Sequence, residues 1–242
     1  MAAHDAVWAL QQYEAVRSLL PAARMPKKSA HAENLEEIAD LFDAFLLDAF
    51  GVLNVGDTAI AGAAQRAQML KDMGKDVLVL TNGACFPAEQ ALKKFLSFGI
   101  PLELADIVSS RAALAVAIPP LPDSGFWGVM STQNSHVETL GIPWQRLEND
   151  MSIYDSASGF ILLSTLEWTE AQQMLLQESL AKVARPILVG NPDIVAPRGR
   201  YLSLEPGYYG HKLGSELKIQ AKFFGKPFTN IYDLAFSRLP NI

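Results

Sequence analysis

The chain has 242 residues, half of them hydrophobic, so it can bury a core without disulfides or a structural metal. Its net charge of −6, with no Lys/Arg run longer than two, excludes a nucleic-acid footprint and a polybasic membrane patch. The single Cys85 excludes an internal disulfide and fits a reducing cytoplasm, the first residues predict no secretory signal, and no apolar run is long enough to span a bilayer.

In chain order, residues 5–20 carry apolar positions at helical spacing up to Pro21. A polar loop leads to a short helix over 34–41, with Asn34 as a natural cap. Phe45-Leu46-Leu47-Asp48 then reads as a strand that ends in a carboxylate before Gly51. A helix over 60–73 closes at Gly74, and the apolar run Val77-Leu78-Val79-Leu80 predicts a strand buried on both faces of a parallel sheet, leading into Thr81-Asn82-Gly83. A second helix spans 87–98 and closes at Gly99. Residues 106–108 are extended, a helix over 111–118 follows Ser109 and Ser110, and Phe126-Trp127-Gly128-Val129-Met130 reads as a third strand. This order predicts a doubly wound parallel sheet.

After about residue 150 the pattern restarts. Residues 159–163 form a strand, 169–183 a helix and 186–190 a strand, broken by Asn191-Pro192-Asp193. The reading is an α/β core over 1–150 and 207–242, with a small α/β module inserted at 151–206. A loop and helix over 207–224 lead to Gly225-Lys226-Pro227, and a last helix runs over 228–236.

Three residues stand where chemistry is expected. A carboxylate (Asp48), a hydroxyl after a strand (Thr81) and a late lysine (Lys226) are the parts of a phosphoryl-transfer site: nucleophile, phosphate-orienting group and charge-neutralising cation. Each has a plainer reading. Asp48 and Thr81-Asn82-Gly83 are also good turn sequences, Asn191-Pro192-Asp193 is a turn by composition, and Lys226 could be a solvated surface lysine. Cys85 has no base beside it that would make it reactive. His136 and His211 lack metal-ligand spacing, and Trp127, Trp144 and Trp168 read as core or interface residues.

The segments Leu47-Asp48-Ala49-Phe50-Gly51-Val52-Leu53, Leu80-Thr81-Asn82-Gly83, Gly190-Asn191-Pro192-Asp193 and Gly225-Lys226-Pro227, in that order, resemble the haloacid dehalogenase-like (HAD) superfamily. The resemblance is to the class with a C2-type cap that includes the NagD-like phosphatases, and it covers roughly residues 40–236. It implies a Rossmann-type parallel core with an inserted cap at 151–206, and a cytoplasmic Mg²⁺-dependent phosphatase that acts on a small phosphorylated metabolite through an aspartyl-phosphate. It makes Asp48 the nucleophile and a Mg²⁺ ligand. Thr81, Asn82 and Gly83 hold phosphate, Lys226 stabilises charge, and Asn191 and Asp193 lie on the cap side of the entrance. It involves neither nucleic acid nor membrane, and it allows a homodimer.

The chain departs from the family pattern twice. Phe50 stands where a second aspartate usually serves as acid/base; it keeps the backbone carbonyl that ligates the metal and loses the carboxylate, as in the family's aromatic subset. The chain also ends at Ile242, one short helix beyond Lys226, without the acidic strand that completes the family's Mg²⁺ site. The expectation is weak or absent Mg²⁺ binding and low turnover, from truncation or from loss of the site. The alternative is a non-catalytic member that binds a phosphorylated metabolite or a protein partner.

Overall fold

The computed structural model describes residues 5–198 and 201–239. Two parallel sheets organise them. The first has three strands, with the central strand Asp76–Thr81 flanked by Ala44–Asp48 and Ile107–Ser109. Its faces are covered from both sides. Val79 packs with Phe95, Ala67 and Ile107, whereas Leu78 and Leu80 pack with Val108, Ile231 and Ala235. Burial on both faces is what the non-alternating run Val77–Leu80 requires.

The second sheet has five strands among the described residues. In spatial order they are Lys222–Phe223, Ile187–Val189, Gly159–Leu162, Trp127–Met130 and Trp144–Arg146, all parallel. Its residues also alternate between two covered faces. Phe160 and Leu162 join Met130, Leu176 and Leu213 on one side, while Ile161 and Leu163 join Trp127, Val129 and Leu114 on the other. No helix of the described residues is long and apolar enough to cross a membrane.

Most elements fall where periodicity and caps place them. Asn34 accepts the Glu36 amide at 2.9 Å to start its short helix, and Ser109 accepts the Ala112 amide at 3.1 Å. Thr169 and Gln172 form a reciprocal capping box before the helix Glu170–Lys182. Gly74 and Gly99 end their helices with φ of 72° and 74°, a conformation costly for residues that carry a Cβ.

Sheet membership corrects the expected organisation. Trp127–Met130 does not extend the Asp48 sheet; it pairs with Gly159–Leu162 and Trp144–Arg146. Lys222–Phe223, expected with the core, pairs with Ile187–Val189. The module therefore cannot be confined to 151–206, because its sheet draws strands from residues 127 to 223. The physical reason is that a four-residue apolar strand reports burial on two faces and nothing about its neighbours. The N-terminal helix Ala6–Val16, also expected with the core, touches this second region: Trp8 lies 5.8 Å from Tyr208 between ring centroids, and the Tyr13 hydroxyl accepts the Ile194 amide at 3.2 Å. Burial pushes the Tyr13 phenol up.

The chain crosses between the sheets twice. It leaves the first after the helix Ser110–Ala115. It returns through Phe224, Gly225 and Lys226 to the helix Thr229–Phe236, whose Ile231 and Ala235 are buried against the first sheet.

Candidate active site

Asp48 and Thr81 lie at the C-terminal ends of adjacent parallel strands, the edge at which open α/β sheets bind ligands. The Ala49 amide donates to Asp48 Oδ1 at 2.8 Å. The Lys226 amine donates to the same oxygen and, at 2.9 Å, to the Leu80 carbonyl. One lysine is thus held by a carboxylate on one strand and by the backbone of the next. Asp48 remains about half exposed and can meet a ligand.

Asn82 organises the second crossing. Its Nδ2 donates to Asp193 Oδ1 at 2.8 Å and to the Lys226 carbonyl at 2.9 Å, and its Oδ1 accepts the Lys226 amide at 2.7 Å. Ser110 Oγ donates to the Asn82 carbonyl at 2.8 Å. Thr81 Oγ1 accepts the Gly83 amide at 3.0 Å, which folds the turn after the strand. Asn191 Oδ1 accepts the Asp193 amide at 3.0 Å, and its Nδ2 donates to Glu205 at 3.2 Å.

Every site residue singled out in the sequence lines one cleft of about 590 Å³: Asp48, Phe50, Thr81, Asn82, Gly83, Asn191, Asp193 and Lys226. Two charged lining residues were missed. Arg198 ends the first strand of the antiparallel pair Val195–Arg198 and Tyr201–Leu204, Glu205 follows the second, and Ser203 Oγ donates to Glu205 Oε1 at 2.7 Å. A basic residue and an acid at either end of a short polar strand look, in sequence, like part of an ordinary solvated turn.

The acids deeper in the cleft are perturbed. Burial pushes the Asp193 carboxyl up, against the Asn82 hydrogen bond and the nearby Lys226 charge. Burial likewise pushes Glu205 up, opposed chiefly by the Ser203 hydroxyl. Cys85 is half-buried beside the hydroxyls of Thr132 and Ser135, each 3.7 Å away. His211 is buried and stacked on Phe223, and His136 pairs with Glu138.

A divalent cation would draw on the Asp48 carboxylate and the Phe50 carbonyl. Mg²⁺ asks for near-octahedral oxygen donors. Among the described residues no group of three or more His, Cys, Asp or Glu side chains could hold a metal, and Asp48 is already engaged by Lys226. The described donors therefore do not complete a magnesium site.

A family model described as haloacid dehalogenase-like hydrolase matches residues 45–140. A 4-nitrophenylphosphatase of Schizosaccharomyces pombe is 30% identical over 94 residues, 39% of this chain and 32% of that protein. Phosphoglycolate phosphatase 2 of Arabidopsis thaliana is 34% identical over 86 residues, 35% of this chain and 29% of that protein. The match thus spans about a third of the length of these curated relatives. A solved structure from Cytophaga hutchinsonii, described as a possible sugar phosphatase of the HAD superfamily, superposes with a TM-score of 0.76 at 22% identity, covering 86% of this chain and 76% of its own. At that identity the likeness establishes the fold.

Proposed function

We propose that the chain is a haloacid dehalogenase-like hydrolase, as the family model over residues 45–140 supports, and that it hydrolyses phosphate monoesters of a small metabolite through a phosphorylated Asp48. The observation that carries this reading is the Asp48–Lys226 pair in the cleft that Thr81, Asn82 and Gly83 also line. The region of the second sheet is read as the cap, and its Asn191–Glu205 segment as the wall facing the phosphate.

In this reading Asp48 attacks phosphorus with a carboxylate oxygen. The bond from phosphorus to the ester oxygen breaks, and that oxygen leaves with the electron pair. Thr81 and the Gly83 turn orient the phosphoryl oxygens, and Lys226 offsets the charge that builds between carboxylate and phosphate. Water then cleaves the acyl-phosphate. Phe50 has no proton to give the leaving oxygen, and the loss of a general acid costs a factor of about 10²–10⁴. Turnover is accordingly slow.

A second reading, a phosphate-binding protein without turnover, is favoured by the same Phe50. Phosphate release from a panel of monoesters separates the two. Release that falls to background in Asp48→Asn supports the enzyme. Phosphate binding with no release from any ester supports the binding protein. Release unchanged in Asp48→Asn would remove Asp48 from the mechanism.

A further inference from the structure

Phenylalanine at position 50 has no proton to give, yet two acids besides Asp48 line the same cleft, Asp193 and Glu205. Glu205 has both oxygens engaged: Ser203 Oγ donates to Oε1 at 2.7 Å and Asn191 Nδ2 to Oε2 at 3.2 Å. Asp193 has only one. Its Oδ1 accepts Asn82 Nδ2 at 2.8 Å, and among the described residues no hydrogen bond reaches Oδ2. The sense of the Asn82 bond is fixed by a neighbour. The Lys226 backbone N–H can only donate, so it meets Asn82 Oδ1, at 2.7 Å, and turns the amide nitrogen toward Asp193. Asp193 Oδ1 is therefore an acceptor, and a proton on this carboxyl belongs on Oδ2, the oxygen left for a ligand in the cleft. Asn191 Oδ1 accepts the Asp193 amide at 3.0 Å and holds the residue in that position.

We propose that Asp193 passes a proton from Oδ2 to the ester oxygen as it leaves, in place of the carboxylate that position 50 lacks. The proposal rests on the phosphatase reading and adds a catalytic residue to it. The titratable groups that face Asp193 are Asp48 on the first sheet, Lys226, Glu205 after the hairpin and Tyr13 on the N-terminal helix. Burial pushes the Asp193 carboxyl up, and the Asp48 charge adds to the push against the Asn82 bond and Lys226. A general acid must hold its proton until the leaving group asks for it. In the first half of the reaction Asp48 bonds to phosphorus and the bond from phosphorus to the ester oxygen breaks. That oxygen keeps the electron pair, takes the Asp193 proton and departs as an alcohol. In the second half a water oxygen bonds to phosphorus, the water proton returns to the Asp193 carboxylate, and the Asp48–phosphorus bond breaks with its electrons on Asp48. Asp193 thus returns part of the factor lost at position 50, and the part is largest for the most basic leaving groups.

Turnover of methyl phosphate and phenyl phosphate by the wild-type chain and by Asp193→Asn tests this. The amide keeps an oxygen for Asn82 and has no acidic proton. Methoxide is about as basic as hydroxide, whose parent water has a pKa of about 15.7, whereas phenol ionises near about 10, so methyl phosphate needs the acid more. Asp193→Asn should lower methyl phosphate turnover at least about 100-fold, and the loss with phenyl phosphate should be at least about ten-fold smaller. Asp193→Glu, which restores an acid, should recover part of the methyl phosphate turnover and serves as the second variant. An equal loss with both esters would leave Asp193 a structural role only. No loss with either, or a wild-type chain that hydrolyses phenyl phosphate alone, would leave no acid at work. Each of these overturns the proposal while the phosphatase reading stands. Turnover of neither ester by the wild-type chain overturns the phosphatase reading and the proposal together.

Discussion

Asn82 uses both ends of its amide. As donor it serves Asp193 and the Lys226 carbonyl, and as acceptor it takes the Lys226 amide. A net hydrogen bond of this kind contributes about 1 kcal/mol. Asn82→Ala should therefore cost about 2–3 kcal/mol and lower Tm by roughly 5–10 °C, read by thermal denaturation. A Tm within a degree of wild type would show that the backbone holds Lys226 unaided. Asp193 makes a prediction of opposite sign. Burial raises its folded-state pKa, so folding favours the protonated form. That stability is present below the unfolded value of about 3.9 and is lost as pH rises through the folded one. Asp193→Asn should be more stable than wild type at neutral pH, and the gap should close in acid. Melting curves from pH 3 to pH 7, roughly spanning this window, decide it.

At the scale of elements, the link between Lys222–Phe223 and Thr229–Phe236 is a tight joint. Gly225 has φ of 117°, and a Cβ there would meet Asn82 Oδ1 at 2.6 Å, Ser110 Cβ at 2.8 Å and Pro192 Cδ at 2.9 Å. Three segments converge on one missing side chain. Gly225→Ala should destabilise by about 1–3 kcal/mol. It should also displace Lys226, so that phosphate affinity measured at a temperature where the variant is folded drops at least ten-fold, roughly the loss of one charge-assisted hydrogen bond. Affinity that survives would mean that the joint bends without moving the amine. Joints of this kind were only half legible in the sequence. Asp48, Thr81 and Lys226 were readable because each follows a strand-like or glycine-marked segment. The sheet that Trp127–Met130 joins was not, because an apolar run carries no partner information. The strands Trp144–Arg146 and Lys222–Phe223 were too short to show a period, and the hairpin that carries Arg198 and Glu205 hid in a polar, proline-containing stretch.

Across the whole molecule, two parallel sheets each bury both faces, and the site lies where the chain passes between them. That construction leaves the cleft's charge balance to a few groups. Asp48 has Lys226, and among the described residues no group of three or more His, Cys, Asp or Glu side chains is placed to hold a metal. Chelation with EDTA should accordingly leave the Tm of this 242-residue chain unchanged, and millimolar Mg²⁺ added without phosphate should not raise it. A rise of several degrees would reveal donors outside the set described.

The separation of Asp48 from Lys226, 178 positions along the chain, has a consequence in time. Closing a loop of that length costs about 4–5 kcal/mol of chain entropy, whereas a partly exposed ion pair returns at most about 1 kcal/mol. The pair cannot recruit its own partner; both sheets must be assembled before the charges meet. On the ribosome, where the N-terminal part emerges first, the strand bearing Asp48 and the turn after Thr81 are made long before their cation. The nascent protein therefore carries an unbalanced aspartate until residue 226 has been made, and the binding site comes into being only then.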